Sequence, residues 1–236
     1  MVMATRPDGT WWRTHTVAVL GVLVVANVMT NRVLPEWTYV PWNLAMAVFI
    51  VLIARQKVSM VEMGFTRWRR GLVWGGVLLA LTTGVLLLAL AIPSFHQMYH
   101  DRRVGAGMGT WLYQAFIRIP LGTAVLEETA FRAVLPAVFV AKRGLWIGCL
   151  IASTWFGLWH VLPALHLSNL NPTLTGLLGK GTAGEVAGVV FGVLGTTLAG
   201  LWWCWVRHRS GSVLSTMIAH VATNSVAYTI AFWVNR

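Results

Sequence analysis

Apolar residues run along the chain in seven stretches, at roughly 16–30, 39–54, 71–93, 111–140, 145–162, 184–206 and 212–234, separated by short polar or charged connections. Each approaches the length of about 20 apolar residues that a helix needs to cross a hydrocarbon layer about 30 Å thick. The first two are short, as tilted or partly interfacial helices would be. The stretch 111–140 is too long for one straight span and contains Arg118 and Pro120. Proline lacks an N–H and clashes with the preceding turn, so Pro120 is expected to separate a re-entrant or interfacial piece from a helix beginning near Leu121. The pattern predicts an all-α, polytopic membrane helix bundle of about seven transmembrane helices. Residues 1–236 read as a single integral-membrane domain.

Composition sharpens this picture. Of 236 residues, 57% are apolar and 11% charged, with mean hydropathy +0.67; soluble domains carry about a quarter charged residues, so a soluble enzyme is excluded. The net charge of +11 would suggest nucleic acid in a soluble protein. Here the basic residues fall between apolar runs, as topology signals and contacts for anionic membrane lipids do, and no nucleic-acid partner is expected. With seven spans and the N-terminus in the cytoplasm, Arg6, Arg13, Arg55, Lys57, Arg67, Arg69, Arg70, Lys142, Arg143, Arg207 and Arg209 fall inside. Arg32, Arg102, Arg103, Lys180 and Arg236 fall outside, and that asymmetry favours a multi-pass cell-membrane protein with a cytoplasmic N-terminus. The first apolar run lacks a small-x-small cleavage site before its polar break and is expected to be retained as a span.

Other features read as packing or anchoring. Trp11, Trp12, Trp37, Trp42, Trp68, Trp111, Trp146, Trp203, Trp205 and Trp233 lie near the ends of the stretches, where an indole suits the headgroup layer. Residues 55–70 are basic with interleaved apolar side chains, the pattern of a short helix lying on an anionic leaflet. Cys149 and Cys204 sit in apolar runs without metal or disulfide spacing and read as buried thiols. Gly184, Gly188 and Gly192 put small residues on one helix face, where another helix can approach. The polar connection 164–183, with His166, Asn169, Asn171 and Pro172, is placed to cap a cavity. His15, His96, His100, His166 and His208 fall in loops or at interfacial ends.

Five ionisable residues interrupt the apolar stretches: Glu127, Glu128, Arg132, His160 and His220. Each costs about 2.5–3.5 kcal/mol at mid-bilayer on insertion scales, so it calls for a partner, a wet cavity or a function. Glu128 and Arg132 are four apart and face the same way, as an intrahelical ion pair would. Glu127 is turned about 100° from Glu128 and can face a different cavity. His220 and Asn224 share four-residue spacing, as do Phe156 and His160. A buried structural network and a proton path in a transporter use the same residue types. A Glu, two His and an Asn also supply what is needed to deprotonate a water and hold an oxyanion. The sequence contains no G-x-S-x-G and no Ser-Lys pairing beside them.

The ordered motifs Glu127-Glu128-x-x-x-Arg132, Phe156-x-x-x-His160 and His220-x-x-x-Asn224 resemble those of the CPBP family (CAAX protease and bacteriocin-processing, or Abi), which includes the type II CAAX prenyl endopeptidases. The motif-bearing core runs from about 111 to 236. The resemblance implies a glutamate-dependent intramembrane endopeptidase acting on a membrane-embedded or lipidated, CAAX-like peptide. Glu127 would activate water with help from His160, and His220 and Asn224 would hold the oxyanion. Glu128, Arg132 and Phe156 would be supporting residues. A non-catalytic scaffold or bacteriocin-immunity protein and a proton-coupled transporter are the alternatives. No cofactor is expected. The alternative is a divalent metal such as zinc held by Glu127, His160 and His220, although the chain has no H-E-x-x-H. Depth follows from the same spacing. Glu127 and His160 each stand about 16 residues, or about 24 Å of helix, from the Lys142–Gly144 turn, which puts both past the midplane on the side away from it.

Overall fold

The computed structural model describes residues 10–100, 104, 107–165, 167–170 and 172–236, and within these the chain is all-α. Arg6, Arg102, Arg103, His166 and Asn171 lie outside the described residues. The long helices are α1 (Trp11–Val28, continued by a π-helical turn Met29–Val33), α2 (Tyr39–Arg55), α3 (Trp68–Leu90), α4 (residues 108–143), α5 (Leu145–Trp159), α6 (Gly181–Ser210) and α7 (Val213–Val234). Among the described residues, five helices are long and apolar enough to cross a membrane: Trp11–Val33, Glu36–Arg55, Met60–Leu90, Gly181–Ser210 and Val213–Val234. A sixth span results if Leu145–Trp159 and Val161–Asn169, bent by 44°, are taken together.

The fourth apolar stretch differs from the other six because α4 is the axis of the bundle. Every residue from Leu126 to Phe139 is buried, and the main apolar core is built around this segment, with Val19 and Leu23 of α1, Ile50 of α2 and Phe156 of α5 packed on it. A helix buried on all sides lies inside a bundle, which is why its charges do not meet lipid. The break expected at Pro120 does not occur. The helix runs on as a wide π segment, Gln114–Ala124, with Pro120 inside it, and a second π segment, Thr129–Val134, follows Glu128. Widening the turn accommodates a residue that cannot donate to the ladder.

Close helix approach occurs at other glycines than expected. Gly71 and Gly75 are the buried residues of α3, and a Cβ on either would fall within 2.9 Å of Leu214 or Ile218 of α7. Gly200 of α6 faces Ser153 of α5, where a Cβ would sit 3.0 Å from the serine Cβ. Gly188 and Gly192 instead cover the connection at Leu167 and Ala164. Gly144, at φ +79°, turns α4 into α5, and Gly211, at φ +70°, turns α6 into α7; both need a conformation that side chains disfavour.

The basic segment after α2 contains only the single-turn helix Met60–Met63, closed by a Ser59–Glu62 capping box. It is tied into the bundle by hydrogen bonds, while residues 66–70 stay exposed. Gly64 O accepts from Val213 N at 3.0 Å, the Glu62 carbonyl accepts from Arg207, and Arg70 donates to Arg209 O at 2.9 Å. Trp37, Trp68, Trp146 and Trp233 are exposed, as anchors would be, whereas Trp11 is buried and Trp111 stacks on Phe232 with centroids 5.5 Å apart. His15 is also buried, its Nδ1 2.8 Å from Trp11 O, because the helix begins five residues before the apolar stretch does.

Candidate active site

Glu127 and Glu128 occupy the short α-helical stretch Val125–Glu128 between the two π segments of α4. Such widened turns recur where a helix must aim side chains away from regular spacing. The Glu127 carboxylate is buried. Its Oε1 accepts a hydrogen bond from Trp159 Nε1 at 3.0 Å, and its Oε2 has no hydrogen-bond partner. That oxygen stands 3.9 Å from His160 Nε2 at the end of α5 and 3.8 Å from His220 Nε2 on α7. Three separate helices thus bring a carboxylate and two imidazoles to one point.

The far nitrogen of each ring fixes what the near one can do. His160 Nδ1 lies 2.8 Å from the Phe156 carbonyl, which can only accept, so Nδ1 carries the proton. His220 Nδ1 lies 2.9 Å from Glu128 Oε1 and donates to that carboxylate. In the neutral rings both Nε2 atoms are therefore acceptors, facing a third acceptor, Glu127 Oε2. Lone pairs turned on one another call for a proton donor between them. A water placed about 2.8 Å from both Glu127 Oε2 and either Nε2 would subtend an angle of about 85°, close enough to its own bond angle to bridge them.

Glu128 and Arg132 form the expected ion pair, Nε to Oε2 at 3.4 Å, with both side chains fully buried. The guanidinium also lies 3.9 Å above the Phe156 ring and 4.9 Å from the Trp203 ring, contacts that suit a desolvated cation. Phe156 holds His160 a second way, edge to face at 4.6 Å. Trp203, placed by its sequence position in the headgroup layer, instead lies against His220 at 4.8 Å. Trp159 is the other site residue that the sequence pattern did not single out; its signal was its position between Phe156 and His160. Asn27 of α1 supports it by donating to the Trp159 carbonyl at 2.9 Å.

Glu127, Glu128, Arg132, Phe156, His160 and His220 are thus brought together. Asn224 is half-buried and makes no side-chain hydrogen bond among the described residues. It lies in the π segment Ala222–Val226, which winds wider than an α-helix. On the α1–α2 side a polar cavity of about 300 Å³ is lined by Asn31, Arg32, Glu36, Tyr39 and Arg118. Tyr39 there meets Thr123 of α4 at 3.0 Å.

A zinc ion at this cluster would need closer ligands. Two ligands held at about 2.0–2.1 Å in a tetrahedron are about 3.3 Å apart, and the Glu127–His160 and Glu127–His220 separations of 3.9 and 3.8 Å exceed that edge. Among the described residues no group of three His, Cys, Asp or Glu side chains is placed to hold a metal ion.

Comparison with known proteins places this cluster in context. The family model described as "Type II CAAX prenyl endopeptidase Rce1-like" matches residues 109–226, half of the chain, and spans α4 to α7 with all three motifs. No curated protein and no solved structure matches. The match covers each helix that contributes to the Glu127 cluster apart from α1, and on that extent the chain belongs to the Rce1-like family of type II CAAX prenyl endopeptidases.

Proposed function

We propose that this protein is an intramembrane endopeptidase that hydrolyses a peptide bond in a membrane-embedded or lipidated, CAAX-like substrate, with Glu127 as the base. The observation that carries this reading is the unpartnered, buried Glu127 Oε2 at 3.9 and 3.8 Å from two imidazole nitrogens. A water held between Glu127 and His160 gives its proton to the carboxylate as its oxygen attacks the scissile carbonyl. The oxyanion then accepts from His220 Nε2–H and from the Asn224 amide, which turns toward the site when a peptide enters. Glu127, now protonated, passes that proton to the departing amine. The sum is water plus amide giving acid plus amine.

His220 suits the oxyanion role because Glu128 faces its Nδ1 and Glu127 its Nε2, and one proton on the ring brings the cluster of two carboxylates and Arg132 to neutrality. Trp159 orients Glu127, and the polar cavity beside Tyr39 and Arg118 admits water and the peptide. No metal takes part. The chain is a single membrane domain with its catalytic core at about 111–236. Counting α4 and the bent α5 as spans gives seven crossings with a cytoplasmic N-terminus. The test is hydrolysis of a farnesylated C-terminal peptide by purified protein in lipid, compared with Glu127→Gln and His160→Ala variants of equal folded yield. Both substitutions are expected to remove cleavage, and cleavage by Glu127→Gln at the wild-type rate would sink the assignment.

A further inference from the structure

We propose that Arg118 is a specificity residue, which holds the C-terminal carboxylate of the peptide while the scissile bond lies at Glu127. The inference rests on the endopeptidase reading above and adds to it the group that ends the substrate. Arg118 and Arg132 are the two arginines of the fourth apolar stretch. Arg132 has an acidic partner, Glu128 at 3.4 Å, whereas Arg118 makes no ion pair among the described residues. The Arg118 guanidinium carbon lies 3.9 Å from the centre of the Tyr39 ring, and its Nη1 donates to Gln114 Oε1 at a long 3.4 Å. Its Nε and Nη2 have no hydrogen-bond partner, and unlike the nitrogens of Arg132 they keep accessible surface. Arg118 lines the polar cavity of about 300 Å³ beside α1 and α2. A cation inside a membrane bundle calls for a partner, and here the unmet donors border open space.

Charge and reach both select a carboxylate. Two guanidinium groups line the cavity, Arg118 and Arg32, against the one carboxylate of Glu36, so it stays positive with Glu36 counted in full. Glu36 is exposed and pairs with neither arginine. The cavity is also tied to the Glu127 site. Thr123 follows Arg118 by five residues, one turn of the π segment, and Glu127 follows Thr123 by four, so the spacing puts all three on one flank of α4. On the facing side Asn31, at the cavity, donates to Asn27 Oδ1 at 2.6 Å; Asn27 donates to Trp159 O at 2.9 Å, and Trp159 to Glu127 Oε1 at 3.0 Å. The nine residues from Arg118 to Glu127 cover at most about 14 Å of helix. An extended peptide advances about 3.3–3.6 Å per residue, so three or four residues beyond the scissile bond bridge the two side chains. A terminal carboxylate there matches the guanidinium fork. An amide or a continuing chain brings no charge to it.

The experiment measures equilibrium binding of a fluorescent farnesylated CAAX-like peptide to the purified full chain in lipid, in the Glu127→Gln background so that the probe stays intact. Three forms are compared: the free acid, its C-terminal amide, and a free acid lengthened by three residues. The short acid is expected to bind about tenfold more tightly than the other two, the loss that one charge-assisted hydrogen bond accounts for. Adding Arg118→Gln should erase this advantage by weakening the short acid alone, and Arg118→Lys should keep part of it. In wild type the same preference should appear in KM, with kcat little changed. Equal binding of acid and amide, an acid preference indifferent to length, or a full preference in folded Arg118→Gln would overturn the proposal. If Arg118→Gln does not fold, Arg118→Lys decides, and an undiminished preference there contradicts the fork. Turnover and binding fail separately: an acid preference without wild-type cleavage sinks the endopeptidase reading, and cleavage without an acid preference sinks the role of Arg118.

Discussion

Arg132 offers the sharpest test of how the charged cluster is held inside the bundle. Replacing it by Met keeps most of the volume but strands the Glu128 carboxylate, which is fully buried and 3.4 Å from the guanidinium. At an effective dielectric of about 20, a pair at that separation is worth about 5 kcal/mol of Coulomb attraction. Breaking one side of a buried pair costs about 3–5 kcal/mol in measured cases. The stacking of Arg132 on Phe156 and Trp203 adds about 1–2 kcal/mol, while the surviving bond from His220 to Glu128 at 2.9 Å returns part of the loss. Arg132→Met should therefore destabilise by about 4 kcal/mol. Glu128→Gln should cost a similar amount, because it leaves the cation unpaired. In the double variant neither charge remains, and its loss should fall short of the sum of the singles by about 2 kcal/mol. Equilibrium unfolding in mixed micelles, followed by the 14 tryptophans, measures all three. Additive losses, or an Arg132→Met protein as stable as wild type, would refute the claim that the pair carries its own charge balance.

Trp159→Phe keeps the ring but removes the N–H that meets Glu127 Oε1 at 3.0 Å; a steady-state assay should show kcat lower by about tenfold, the equivalent of about 1.4 kcal/mol, with an unchanged melting temperature. Gly200→Val forces a side chain against Ser153 and Phe156 and should cost about 1–3 kcal/mol in thermal unfolding, whereas Gly21→Ala, with open space around it, should leave stability unchanged or slightly raised. Exhaustive chelation should leave turnover unchanged, and a stoichiometric metal whose removal abolishes turnover would contradict the metal-free reading. A single cysteine at Lys142, in a background lacking Cys149 and Cys204, should escape a membrane-impermeant reagent in intact cells. Its labelling would reverse the orientation.

Glu127, Glu128, Arg132, His160 and His220 were legible because an ionisable side chain in an apolar stretch is costly enough to need a reason. The Glu128–Arg132 pair followed from four-residue spacing alone. Trp159 and Trp203 were not legible, since an indole near the end of an apolar run looks the same whether it meets headgroups or a buried imidazole. Asn224 lies in a π segment, Ala222–Val226, that four-residue spacing on a regular α-helix does not foresee. Hydropathy likewise cannot separate a lipid-facing helix from a protein-enclosed one, so α4 read as an awkward fourth span when it is the bundle's axis. Glycine spacing announced a close approach without naming the partner: Gly71 and Gly75 face α7, while Gly188 and Gly192 face a connecting segment.

The central claim is that Glu127 activates a water and does not itself attack the peptide. A single turnover of a lipidated peptide in ¹⁸O-labelled water tests it, with the oxygen isotopes of the new product carboxylate and of the Glu127-bearing enzyme fragment read by mass spectrometry. Base catalysis puts one ¹⁸O into the product and none into Glu127. Finding ¹⁸O in the Glu127 side chain would reveal a covalent acyl intermediate and contradict the account.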